Sequence, residues 1–147
     1  LGTPGLITGW PVANDAFFLP FRVSKTILAQ RMFSCNGNSI SGAVDIGIYT
    51  QDATLIVSSG STNHAGSSLM QLFNITDTLL GPGNYYMAIA VNNTTSRIAR
   101  FNVSILNIQK IGGAKMATAF PLPATATLAT VTAAFVPFIG IDLGGIV

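Results

Sequence analysis

Charge is what this chain has least of. Only 8% of its 147 residues are Asp, Glu, Lys or Arg, against about 25% in an ordinary soluble domain. Seven basic and five acidic residues leave a net charge of +2. The basic residues form no run. Arg22, Lys25 and Arg31 make one loose group, Arg97 and Arg100 a second, and Lys110 and Lys115 a third. Binding a phosphate backbone requires a concentrated basic stripe, so a nucleic-acid partner is not expected.

Cysteine and histidine are scarcer still, with one of each. A lone Cys35 allows no intrachain disulfide and no cysteine-based zinc site within one chain. A Ser-His-Asp triad would have to use His64. That residue sits in the polar turn Thr62-Asn63-His64-Ala65-Gly66 and is expected to be an exposed loop histidine. A multi-histidine metal site is ruled out within one chain, and the acidic residues show no calcium-loop spacing. Asp45 and Asp52 could be drawn as a glycosidase pair, but they read better as residues flanking a turn. The expectation is a protein with no catalytic residues, no cofactor and no metal.

A long uninterrupted apolar run is also missing. Met116 to Val147 carries one charge, Asp142, yet Pro121, Pro123, Pro137, Gly140, Gly144 and Gly145 break it repeatedly. A membrane-spanning helix needs about 20 consecutive, predominantly apolar residues, so no membrane span is expected.

What the chain does have is apolar residues, 49% of the total, and a mean hydropathy of +0.54. They are arranged with a period of two. Val44, Ile46 and Ile48 alternate with Asp45, Gly47 and Tyr49; Tyr85, Met87, Ile89 and Val91 alternate with Tyr86, Ala88, Ala90 and Asn92. Such alternation puts one set of side chains on each face of a strand. Gln51-Asp52, Ser59-Gly60, the 62–66 turn and Gly81-Pro82-Gly83-Asn84 punctuate these runs, as turns do in an antiparallel sandwich or barrel. Strands are expected near 44–50, 53–59, 67–75 and 84–92. Phe21 to Lys25 is read as an earlier strand, and Thr26 to Met32 as a strand in preference to a short helix. Phe101, Val103 and Ile105 are read as one face of a strand over 99–108, and Thr125 to Val131 as a closing strand. Ile46, Ile48, Met87, Ile89, Phe101 and Val103 are the expected core.

The length suggests one domain, divided as follows. Residues 1–15 form an extended N-terminal arm, 16–134 an all-β, antiparallel β-sandwich of about eight strands, and 135–147 an apolar tail. The tail, with Phe135, Phe138, Ile139, Ile141 and Leu143, should dock on a partner, because so apolar a segment is an aggregation liability when exposed. Trp10 is read first as the anchor of the arm; a contact to a neighbouring subunit or a sugar-stacking platform are its other uses. Tyr49, Tyr86, Asn92 and Asn93 are the remaining candidate contacts, since aromatic faces stack on sugars and amides read hydroxyls.

Three passages carry a resemblance. VDIGIY (Val44 to Tyr49), LIVSSGS (Leu55 to Ser61) and ITDTLLGPGNYYMAIAV (Ile75 to Val91) are similar to a jelly-roll-like β-sandwich module of tailed-bacteriophage virion proteins, of the tail-fibre, head-fibre and capsid-decoration type. FPLPATATLATVTAA (Phe120 to Ala134) resembles the segment that follows in them. The resemblance covers roughly residues 16–140 and rests on structural positions. It implies a non-enzymatic structural protein on the surface of a phage particle. Its partners would be itself, as a homo-oligomer with trimers common in that class, and other virion proteins. A receptor- or glycan-binding module of a tail fibre, recognising a host surface glycan, is the alternative.

Overall fold

The computed structural model describes residues 8–146; of the expected arm, residues 1–7 lie outside the described residues. In chain order the strands are β1 (Thr8–Gly9), β2 (Ala16–Val23), β3 (Ile27–Cys35), β4 (Ala43–Thr50), β5 (Leu55–Ser58), β6 (Thr62–Asn63), β7 (Met70–Leu80), β8 (Gly83–Val91), β9 (Arg97–Ile98) and β10 (Arg100–Asn102). A short helix α1 (Ile105–Lys110) follows, then β11 (Ala114–Met116), β12 (Ala129–Thr130), β13 (Phe135–Pro137) and β14 (Ile139–Ile146). With 55% strand and 4% helix the chain is all-β. Six of the strands have eight residues or more, and most of the others are pairs or triplets.

Every paired strand is antiparallel to its neighbour. The larger sheet runs β12-β11-β2-β8-β4-β5, with β6 also on β4; the smaller runs β14-β3-β7. β1 pairs with β9, and β10 with β13. Pro20, which cannot donate to a ladder, pairs with Tyr86 of β8, while β11 reaches only Ala16 to Phe18 on the other side of β2. The proline thus lies beyond β11, where no second ladder has to be served.

One buried cluster joins the two sheets. Phe17, Val44, Ile46, Ile48, Ile89 and Val91 come from the larger sheet; Ala29, Met32, Phe73, Ile75, Leu80 and Ile139 come from the smaller. The larger sheet is also covered on its opposite face. There Phe18, Tyr49, Ala88 and Ala90 pack with Ala119, Leu122 and Ala126. This explains Gly47 in the middle of β4: a Cβ there would approach the Val57 carbonyl to 2.7 Å and the Leu122 side chain to 3.1 Å.

The structure departs from the sequence reading in four places. The strand expected over 99–108 stops at Asn102 and gives way to α1, whose N-cap Ser104 accepts a hydrogen bond from the Asn107 amide. Only Ile108 of this helix is buried, and the alternation of Phe101, Val103 and Ile105 is too short to separate strand from helix. Phe101, Val103 and Met87 are half-buried, whereas Ile46, Ile48 and Ile89 are fully buried. Thr125 to Val131 yields only the two-residue β12; most of it lies over the larger sheet as irregular chain. Finally, the expected external tail is part of the sheets. β13 pairs with β10 and β14 pairs with β3, with Phe135 and Ile139 in the core.

Candidate assembly surface and buried polar centre

Of the side chains proposed as contacts, Trp10 and Tyr49 turn inward. Trp10 is buried, its indole N–H donates to the Asp15 carbonyl at 2.9 Å, and its ring meets Phe135 edge-on at 5.8 Å. It anchors the chain to the body of the protein. Tyr49 is fully buried against Phe18 and donates its hydroxyl to the Pro123 carbonyl at 2.7 Å. Asn92 Oδ1 accepts the Ala43 amide, and Asn93 Oδ1 accepts the amides of Thr95 and Ser96. These two asparagines hold their own loop. Tyr86, half-buried beside Phe18, lines an open cavity.

His64 also departs from expectation: it is only 6% exposed. Its Nε2 lies 2.7 Å from Asn36 Oδ1, and its Nδ1 meets the buried hydroxyl of Ser96. Asn36 Nδ2 donates to the Ala65 carbonyl and to Gln71 Oε1, which fixes its Oδ1 as the acceptor; Ser34 donates to the same oxygen. His64 therefore carries its proton on Nε2 and accepts from Ser96 on Nδ1. Ser96 in turn accepts the Ser41 amide. The network ties the end of β3 to the turn at 63–66, the start of β7 and the loop before β9. Burial pushes the His64 pKa down to about 4. A serine beside a histidine beside an asparagine suggests nucleophilic chemistry, but Ser96 is fully buried and no substrate atom could reach it. This is a structural centre. The sequence gives no sign of the part Asn36 plays here, because an asparagine followed by Gly37 has the local pattern of an ordinary turn.

Asp45, on β4, is buried too. It accepts the Leu122 amide at 2.9 Å and the Ser59 hydroxyl, so it pins the covering segment to the sheet. Burial raises its pKa. Asp52 stays exposed on its turn, bonded by the Thr50 hydroxyl, so the two carboxylates have separate local roles. Among the described residues no group of three or more His, Cys, Asp or Glu could hold a metal ion. No helix of the described residues is long and apolar enough to cross a membrane.

The smaller sheet presents a different surface. Strand registry puts Phe33 opposite Leu72 and Gly140, Cys35 opposite Met70, and Arg31 opposite Asn74 and Asp142. The rows between these, such as Met32 with Phe73 and Ile141, point into the core. The outward rows are open and mix apolar side chains, Met70 58% exposed and Leu72 47%, with the polar Arg31, Asn74 and Asp142; Leu69, just before β7, is 63% exposed. Phe33 lies over Gly140, where a Cβ would come within 2.4 Å of its ring. Phe138 continues this aromatic row, 6.2 Å from Phe33 and 5.5 Å from Phe101. One ion pair, Arg31 to Asp142 at 2.6 Å, crosses the face. Of the expected tail contacts, Phe138 and Leu143 are exposed, while Phe135, Ile139 and Ile141 pack inward. Among the described residues nothing covers this face. No protein-family model, no curated protein and no solved structure matches the chain.

Proposed function

We propose that this chain is a two-sheet sandwich of jelly-roll type and a non-catalytic structural component of a bacteriophage particle, displayed on its surface and assembled with copies of itself. The phage assignment rests on the resemblance of residues 44–91 and 120–134 to virion β-sandwich modules. The sandwich reading is supported by the single buried cluster that two antiparallel sheets share. One observation carries the assembly reading. The larger sheet has both faces covered by its own chain, whereas the outer face of the smaller sheet exposes Met70 and Leu72, with Leu69 and Phe138 exposed at its margin. An open apolar face of this kind marks an interaction surface. Assembly therefore runs through this face; most of the C-terminal segment serves the fold itself.

The glycan-binding alternative loses Trp10 and Tyr49 to the interior, finds Asn92 and Asn93 half-buried and engaged in holding their own loop, and keeps Tyr86. Light scattering on the purified protein tests the assembly reading. The wild type should be a closed oligomer, and a Met70→Lys, Leu72→Lys double variant should be monomeric with an unchanged circular dichroism spectrum. A monomeric wild type, or an oligomer indifferent to both lysines, overturns it. Gold-labelled antibody against the chain should decorate intact phage particles; absence of label overturns the address.

A further inference from the structure

Asn36-Gly37 is the one place in the chain where glycine follows asparagine. That dipeptide is chemically labile. The backbone nitrogen of the second residue attacks the side-chain carbonyl carbon of the first, and ammonia leaves. The succinimide so formed opens with water to aspartate or isoaspartate. Glycine favours the attack because no Cβ hinders the approach and its backbone turns freely. In an exposed turn nothing would oppose the reaction.

The fold opposes it at both reacting groups. Asn36 is only 5% exposed, and Gly37 is buried. The attacking nitrogen is engaged: the Gly37 N–H donates to the Arg97 carbonyl at 2.8 Å, while the Gly37 carbonyl accepts the Ser68 amide at 2.7 Å. The leaving nitrogen is engaged too. Asn36 Nδ2 donates to the Ala65 carbonyl at 2.6 Å, to Gln71 Oε1 at 3.1 Å and to the Gly66 carbonyl at 3.2 Å. Ring closure requires the Asn36 side chain and the Gly37 peptide to rotate towards each other, and both are held by the 65–71 segment and Arg97.

The product would not fit the site. A carboxylate at position 36 would put an oxygen where Nδ2 now donates, facing the same three acceptors. Gln71 cannot reverse its amide to help, because its Oε1 accepts the Ala65 amide and its Nε2 donates to the Asn63 carbonyl. Protonating His64 would answer the charge at the first oxygen but leave the second facing acceptors alone. A buried charge without donors costs far more than one unmade neutral bond. Isoaspartate would also lengthen the main chain between the Asn36 amide, bonded to the Leu69 carbonyl at 2.9 Å, and the Gly37 amide. We propose that Asn36 is a deamidation site which the folded chain closes and the unfolded or locally opened chain exposes, and that its reaction is a one-way exit from the native fold. The reaction thus sorts chains by the time they spend unfolded, whether or not the protein is a virion component.

The test holds the full chain in mildly alkaline buffer with and without urea. Peptide mapping by mass spectrometry follows residue 36 and separates it from the exposed Asn38. A reaction confined to the opened state has a rate set by the population of that state. The native chain should therefore react at least about tenfold more slowly than the chain in urea, the factor given by about 1.4 kcal/mol of opening free energy. Gly37→Ala should slow the reaction in urea, where folding plays no part. After dilution from urea, molecules modified at residue 36 should be missing from the native fraction. Asn36→Asp, which makes one product directly, should lack a cooperative thermal transition or melt well below the wild type. The proposal is overturned if residue 36 reacts no faster in urea than in the native chain, or if Gly37→Ala has no effect there. It is equally overturned if the modified molecules or the Asn36→Asp variant fold and melt like the wild type.

Discussion

His64 shows how much one buried side chain can decide. Its pKa is about 4 in the fold and about 6.5 in the unfolded chain, so the folded state binds fewer protons. Stability from this group is complete above about pH 6.5 and is lost as pH falls through 4, to a total of about 3 kcal/mol. Asp45 acts in the opposite sense. Its pKa is raised by burial, so the cost of holding it charged is relieved as pH falls. Urea denaturation of the wild type and of His64→Gln between pH 7.5 and 4 separates the two: subtracting the variant's curve should leave a decline that begins near pH 6.5. Identical slopes would mean that His64 titrates normally and is not enclosed. Ile89, fully buried between the sheets, gives a second prediction. Ile89→Ala should cost about 2–5 kcal/mol through lost burial and the cavity left behind, whereas a loss under about 0.5 kcal/mol is what surface positions show.

Among the elements, β14 carries the largest revision. An apolar segment with Gly140, Gly144 and Gly145 reads as a tail, because glycine is rare inside strands. In the fold two of these glycines are what let neighbouring side chains lie across β14: Phe33 lies over Gly140 and Gln30 over Gly144. The backbone of β14 is satisfied by β3, and Ile139 and Ile141 pack on the common cluster. Deleting residues 139–147 should therefore unfold the protein or leave it without a cooperative thermal transition, because β3 would lose one of its two neighbours and the core its cover. A truncated chain that melts within a few degrees of the full one would show that β14 is dispensable. Helix α1 was hidden for the opposite reason. Six residues with one buried position leave no periodicity to read, and only the Ser104 cap marks its start.

At the scale of the whole molecule, scarcity of charge sets the character of association. With 8% charged residues and one ion pair on the open face, copies of the chain would be held by apolar burial. Surface charge pairs are screened within about 10 Å at 0.1 M salt, but apolar burial is not, and sulfate strengthens it. The oligomer should therefore persist from 0.05 to 1 M sodium chloride and tighten in ammonium sulfate, as followed by analytical ultracentrifugation. Dissociation at high salt would identify an electrostatic interface elsewhere. A sheet with one uncovered apolar face is stable alone only where that face is small or finds a partner, which is why the asymmetry between the two sheets matters more than the size of either.

The all-β class was legible in the alternation at 44–49 and 85–91, because side chains on a strand must point to opposite faces in turn and the local chain already contains that information. The strands at 43–50 and 83–91 and the burial of Ile46, Ile48 and Ile89 followed from it. The faces were not legible. Tyr49 is buried on the side opposite Ile48 because residues 119–126 fold over it, and nothing near Tyr49 announces a segment some 70 residues away. The same holds for His64, which reads as a loop residue until Asn36 and Ser96, distant in sequence, enclose it. Local periodicity determined which residues form strands. Only the tertiary arrangement decided which faces, polar groups and chain ends it would cover, because covering a side chain is a property of whatever packs against it.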